Sequence, residues 1–266
     1  MTEMTVSFGP QVGQNNGQRF FLSTGALAEP VAGGLPWACS CIAPPLKAGH
    51  LLRGEREEYR VLGSVWSPSQ TNGPDARCWL VETLRPAPAG APAERPLSVT
   101  RSGFALAWIT LSDKGSAGQR VDASGPLVEE LVRGAMTLTF ARGFILPDDE
   151  RGIRALLMHL ALDDGFDLIA TTGGTGVAPR DVTPEATLAV IEKRLPGFER
   201  AMTVTSLAKT PHGAVSRAVC GTLGGAVLLN LPGSPKAVRE CLGAVLPAVA
   251  HTIEKLQGDP SECATS

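Results

Sequence analysis

Three segments of this 266-residue chain carry residue types that handle phosphate and cations. Thr171-Thr172-Gly173-Gly174-Thr175-Gly176 sets three glycines among hydroxyl side chains. Such a run leaves backbone N–H groups unobstructed and able to form a concave nest for phosphate oxygens. It is neither a dinucleotide fingerprint nor a P-loop, since no Gly-Lys-Ser/Thr follows, and alone it reads first as a tight turn. Arg180 and Asp181 follow it after Val177-Ala178-Pro179, then Thr183 and Pro184, which can cap and start a helix. Asp181 either supports that helix entry or holds a hard cation such as Mg²⁺, whose octahedral shell takes one or two carboxylates, water and substrate phosphates. The second segment, Leu146-Pro147-Asp148-Asp149-Glu150, fits a cation site or an ordinary acidic helix start. In the third, Asn230-Leu231-Pro232-Gly233-Ser234-Pro235-Lys236, Ser234 can cap a helix while free N–H groups and Lys236 face an anion. Two acidic loops and a Gly-rich turn together point to a metal–phosphate site.

Each segment follows an apolar run of strand length. Residues 104–111 read as a strand buried on both faces, and 140–146, 167–171 and 226–231 as three further strands. Between them lie helical patterns: Ser124-Gly125-Pro126-Leu127 with a Ser cap and an early proline, the stripe Ile153, Leu156, Leu157 and Leu160, residues 185–195, and a long final helix over 235–257. Alternating strands and helices predict an α/β fold, a three-layer, mostly parallel sheet with helices on both faces. Ligands in such sheets bind outside the carboxyl ends of the strands, where the three segments fall.

The first third has a different texture. Three of the four tryptophans and the only tyrosine precede residue 85, and glycine and proline punctuate short runs such as Cys78-Trp79-Leu80-Val81. A small β-rich module over 1–85 is expected, with its strands between about 20 and 85. Arg85-Pro86-Ala87-Pro88-Ala89-Gly90-Ala91-Pro92-Ala93-Glu94-Arg95-Pro96 reads as an extended spacer, which places a Pro/Ala-rich linker at 86–97 and the α/β domain at 98–266.

With 24 basic and 26 acidic residues the net charge is −2. No electrostatic footprint for nucleic acid or an anionic membrane is present. The N-terminus lacks the features of a secretory signal, so a cytoplasmic location is expected, and six cysteines fit reduced thiols better than a disulfide framework. Cys39, Cys41, Cys78 and His50 could supply four zinc ligands, although the spacing matches no standard knuckle and buried thiols are the simpler reading.

Several motifs taken in order resemble a known family. Ile109-Thr110-Leu111-Ser112-Asp113-Lys114, Asp122-Ala123-Ser124-Gly125-Pro126, Pro147-Asp148, Thr172-Gly173-Gly174-Thr175-Gly176, Arg180-Asp181-Val182-Thr183-Pro184-Glu185-Ala186-Thr187 and Asn230-Leu231-Pro232-Gly233 follow the order seen in the MogA/MoaB group. That group contains molybdopterin adenylyltransferases and the G domains of plant and animal molybdenum-cofactor synthases. The resemblance covers about residues 102–258. It implies a trimer of α/β subunits in which the terminal phosphate of molybdopterin attacks the α-phosphate of Mg-ATP. By motif position the family's essential acids, which also serve as Mg²⁺ ligands, fall on Asp148 and Asp181. Substrate contacts fall on Ser112, Asp113, Thr172, Gly173, Gly174, Thr175, Gly176, Arg180, Ser206, Ser216, Arg217, Asn230, Pro232, Gly233 and Lys236. Asp149 stands where many relatives have Glu, which leaves that acid's role open. A carrier that presents the pterin to a partner, such as a molybdate-insertion enzyme, is the alternative to catalysis.

Overall fold

The computed structural model describes residues 2–9, 11–24, 36–40, 43–67, 76–119 and 121–260. The chain divides into two compact units, Met1–Ser102 and Gly103–Ser266.

The first unit is a closed seven-stranded barrel. Its strands are β1 (Thr2–Phe8), β2 (Arg19–Thr24), β3 (Trp37–Ser40), β4 (Leu51–Arg53), β5 (Glu58–Ser67), β6 (Ala76–Arg85) and β7 (Glu94–Thr100), in the spatial order β1-β3-β2-β6-β5-β4-β7. In β1, Met4, Val6 and Phe8 are buried while Glu3 and Thr5 are exposed, the period of two that sends alternate side chains to opposite faces. Their inward ends meet Phe20, Leu22, Tyr59, Val61, Trp79, Val81 and Leu97 in one core. Fully burying each large apolar side chain contributes about 1.5–3 kcal/mol. Closure gives each strand a neighbour on both sides over at least part of its length.

Closure also corrects the expected spacer. β7 pairs antiparallel with β1 from Thr2↔Val99 to Ser7↔Glu94, and with β4 from Leu51↔Thr100 to Arg53↔Ser98. The second half of the proline-rich stretch is therefore the strand that shuts the barrel, and the module begins at β1 rather than near residue 20. Pro96 is tolerated because it pairs with Thr5 of β1 but lies outside the stretch paired to β4, so its missing N–H interrupts little of the ladder. Residues 86–93 form a loop tied to the barrel by Phe8 N–H donating to Ala93 O (2.9 Å) and Ala87 N–H donating to Gly13 O (3.3 Å).

The second unit is a six-stranded sheet, made of β8 (Phe104–Leu111), β9 (Leu138–Leu146), β10 (Leu168–Thr172), β11 (Lys193–Arg194), β12 (Cys220–Leu223) and β13 (Ala226–Leu231). The order is β11-β12-β13-β10-β8-β9. The last four are parallel, while β12 and β11 continue antiparallel at one edge. Every residue of β10 and β13 is buried, as central strands covered on both faces must be. The helices are α1 (Asp113–Ser116), α2 (Gly125–Ala135), α3 (Glu150–Met158), α4 (Thr183–Leu188), α5 (Pro196–Leu207) and α6 (Pro235–Leu256). Leu127 and Val132 of α2, Met202 of α5 and Val238, Leu242, Val249 and Ile253 of α6 share a core with Leu168, Ala170, Val227 and Leu229. Asn230, on the opposite face of β13, bonds Thr187 of α4, so helices cover both faces.

Local readings failed where tertiary pairing prevailed. The helix expected over 185–195 stops after α4, and Lys193–Arg194 pair with Thr222 and Gly221 instead. The α2 start is capped by Asp122, which accepts from the N–H groups of Ser124 (3.0 Å) and Gly125 (2.9 Å). Ser124 makes no cap bond and instead donates to Gly233 O at 2.9 Å. Among the described residues no helix is long and apolar enough to cross a membrane.

Candidate active site

The register of the parallel strands brings the candidate loops to one edge. Thr172 of β10 lies opposite Thr110 of β8 and Leu231 of β13, and Leu111 of β8 lies opposite Leu146 of β9. The loops after all four strands therefore open at a common carboxyl end.

The Gly-rich turn is at the centre. Gly173 and Gly174 have φ of +103° and +62°, conformations that L side chains rarely adopt. A Cβ on Gly173 would stand 2.5 Å from Leu111 O, and one on Gly174 would strike Thr183 Oγ1 and come within 3.1 Å of Asp148 Oδ1. A Cβ on Gly176 would lie 2.7 Å from Asp181 Oδ2. Glycine is thus what lets both acids close on the turn. Thr172 Oγ1 donates to Pro232 O (2.8 Å), Gly173 N–H to Leu231 O (3.1 Å) and Thr183 Oγ1 to Gly173 O (2.9 Å). Thr183 works as this strut and not as the expected cap. Among the described residues the N–H groups of Gly174, Thr175 and Gly176 donate to no protein acceptor, which leaves them for a ligand.

Arg217 straps the turn from behind. Its N–H donates to Thr175 O (2.8 Å), Nε to Gly176 O (2.7 Å) and Nη2 to Asp181 O (2.7 Å), and Nη1 pairs with Glu185. It therefore holds the turn through the protein's own carbonyls.

The two acidic loops are distinct in role. Asp149 accepts from Gly152 N–H at 2.7 Å as the N-cap of α3, which accounts for the second acid. Asp148 is half-buried beside Gly174, and burial, together with the Asp113 and Asp181 carboxylates, pushes its pKa above the ordinary carboxylate range against the opposing pull of Arg180. Asp113 is already answered. It accepts from Arg180 Nη2 (2.7 Å) and Nε (3.2 Å) and from Asp148 N–H (3.1 Å), and the Arg180 contact holds its pKa below the usual range. Asp181 Oδ2 accepts from Ala178 N–H at 2.8 Å. Ser112 caps α1 by accepting from Gly115 N–H at 3.0 Å.

Beside the turn, a cavity of about 100 Å³ is lined by Thr110, Ser112, Asp122, Ser124, Thr172 and Gly233, among others. Asp122, which also accepts from Thr110 Oγ1 at 2.7 Å, is the wall residue that sequence reasoning missed. Its signals were its place in the Asp122-Ala123-Ser124-Gly125-Pro126 motif and, two residues before Ser124, the spacing of an aspartate turn.

Other candidates lie apart. Ser206 is buried with Oγ 3.2 Å from Cys241 Sγ. Asn230 is buried, bonding Thr171 and Thr187 through Nδ2 (2.9 Å each) and accepting from Val219 N–H (3.2 Å). Both are internal struts, because their polar atoms are already engaged by protein. Ser216 lines a separate groove of about 540 Å³ with Arg194, Arg200, Thr203 and Arg217. Lys236 is exposed in the first turn of α6. For the zinc reading, Cys39 and Cys78 are both register partners of Ser23, Cys41 lies outside the described residues, and among the described residues no three His, Cys, Asp or Glu side chains come together to hold a metal unaided.

Residues 107–251 match the family described as "Probable molybdopterin binding domain". The chain belongs to this family. Among curated relatives it is 38% identical over 152 residues to the molybdopterin adenylyltransferase of Helicobacter pylori, covering 57% of this chain and 86% of that one. It is 40% identical to the molybdenum cofactor synthesis protein cinnamon of Drosophila melanogaster, but spans only 25% of that longer protein. Among solved structures, the molybdopterin biosynthesis enzyme MoaB of Thermus thermophilus is 42% identical with a TM-score of 0.54, covering 59% of this chain and 98% of its own. The family match lies within the α/β unit.

Proposed function

We propose that the α/β unit acts in molybdenum cofactor biosynthesis by adenylylating molybdopterin. An oxygen of the pterin's terminal phosphate forms a bond to the α-phosphorus of ATP, the bond to the bridging oxygen of the β-phosphate breaks, and pyrophosphate leaves. The observation that carries this reading is the pair Asp148 and Asp181 flanking a glycine turn with three unengaged N–H groups. A phosphate monoester is ionised at neutral pH, so the reaction needs positioning and charge neutralisation more than a general base. The turn presents N–H donors to phosphate oxygens, Arg217 keeps it in shape, and Arg180 stands beside it as a cation tethered to Asp113.

Two carboxylates without a third ligand suit Mg²⁺, which takes its remaining ligands from water and substrate phosphates; the Asp113 and Asp181 carboxylates near Asp148 add negative charge that a cation would offset. Held by Asp148 and Asp181, Mg²⁺ would neutralise charge on the triphosphate. A homotrimer in the cytoplasm that passes its product to a molybdate-insertion enzyme belongs to the same reading.

Incubating the protein with ATP, Mg²⁺ and molybdopterin should yield pyrophosphate and adenylylated pterin. Tight pterin binding without pyrophosphate release would instead make the chain a carrier.

A further inference from the structure

In the barrel, a cavity of about 650 Å³ opens between the loop after β1 and the proline-rich loop before β7. Phe8, Val12, Pro88, Gln11, Gln14 and Arg95 are among the residues that line it. Arg95 is there because β7 alternates: Glu94 and Pro96 are exposed while Arg95 and Leu97 point inward. Its guanidinium carbon stacks 3.8 Å from the centre of the Phe8 ring, and its side chain is only 10% exposed. Glu57 Oε1 stands 3.5 Å from Nε, a buried ion pair that balances the charge without a well-directed hydrogen bond. Among the described residues neither Nε nor Nη2 of Arg95 has a hydrogen-bond partner.

The same end of the barrel holds a second unanswered donor. Tyr59 is fully buried and its hydroxyl has no partner among the described residues. Its ring packs 5.4 Å from that of Phe8, and the hydroxyl lies 3.1 Å from where a Cβ on Gly13 would stand. Burial pushes its pKa up to about 12, so it remains protonated near neutral pH. Buried donors left unpaired are costly, and those of a charged group are more so. Arg95, at the wall of a cavity within the size range of small-molecule sites, keeps donor capacity that Glu57 leaves unfilled and that a ligand supplying acceptor oxygens would take up. Arginine's planar fork suits such a group.

We propose that the barrel binds a small organic oxyanion, a carboxylate or phosphate ester, with its oxygens on Arg95 and its apolar body between Val12 and Pro88. The site is independent of the adenylyl-transfer reading, because every residue in it belongs to the first unit.

The test titrates the full chain with phenyl phosphate, benzoate and the neutral control benzyl alcohol, followed by calorimetry and saturation-transfer NMR. At least one anion should bind, and the alcohol at least about tenfold more weakly; which anion binds tighter distinguishes a phosphate ester from a carboxylate. Arg95→Met, which keeps a stem against Phe8, should weaken anion binding at least about tenfold. Ala91→Trp, which fills the cavity from the opposite loop, should do the same without altering Arg95 and decides the matter if Arg95→Met does not fold. Pyrophosphate release should stay within about twofold of wild type in both variants, so a failure here is separate from a failure of the catalytic reading. The proposal is overturned if neither anion binds, if the alcohol binds as tightly as both, or if folded variants keep wild-type affinity.

Discussion

At the carboxyl edge of the α/β sheet, polar side chains that look available in sequence are already engaged: Asn230 by Thr171 and Thr187, Thr172 by Pro232, Arg217 by two carbonyls and Glu185, and Asp113 by Arg180. What stays open there is backbone N–H and the carboxylate of Asp148, perturbed by its neighbours. Among the described residues of the barrel the open groups include side-chain donors instead, those of Arg95 and Tyr59 beside an apolar core. Side chains satisfied by protein build a surface; groups left unsatisfied on that surface are where a ligand can contribute. The difference separates residues that hold a site from residues that use it.

The sharpest way to break this division is to remove the acids. Asp148→Ala or Asp181→Ala should lower pyrophosphate release by roughly 10²–10³-fold or more, the scale of losing one preorganised electrostatic contact, while circular dichroism and the elution volume stay unchanged. Near-wild-type turnover in both would end the catalytic assignment. A residue that only holds the site should behave in the opposite way. Asn230→Ala leaves buried donors and acceptors unpaired and should cost about 1–3 kcal/mol in chemical denaturation. Arg217→Met should fall between these cases, raising KM for ATP about tenfold through a loosened turn with a smaller change in kcat.

The pH dependence refines the comparison further. The pKa of Asp148 is raised in the folded state, so its ionisation disfavours the fold. That penalty is absent below the ordinary carboxylate pKa and fully present once pH exceeds the raised value. Asp148→Asn should therefore raise Tm slightly at neutral pH, by no more than a few degrees, while abolishing activity. Asp113→Asn removes one of the charges that raise Asp148, and should move the acidic limb of the kcat/KM profile to lower pH. The smallest expected effect is from deleting the barrel: if the two units are functionally separate, a chain of residues 103–266 should keep pyrophosphate release within about twofold.

Much of this was legible in the residues. The runs that became β10 and β13 are apolar without alternation, as strands covered on both faces must be, and their order with the glycine and acidic loops located the sheet edge. Less legible were β11, β12 and α5, whose sequences carry weak periodicity and whose form depends on partners elsewhere in the chain. The proline-rich stretch misled because proline disfavours central strands, yet β7 accepts Pro96 where one side of the ladder is unpaired. Ser206 and Asn230 misled in another way. Their types suggest ligand contact, and only their packing shows that protein atoms have already claimed their hydrogen bonds.

By itself the sequence determined which segments are apolar enough to be central strands, which loops must contain glycine and acid, and to which family the α/β unit belongs, because these depend on residue type and local spacing. Only the tertiary structure decided that Asp148 serves the site while Asp149 caps a helix, that Asp113 is neutralised by a residue 67 positions away, and that Arg95 faces inward. Burial and partnership arise from contacts between distant parts of the chain, and no local pattern encodes them.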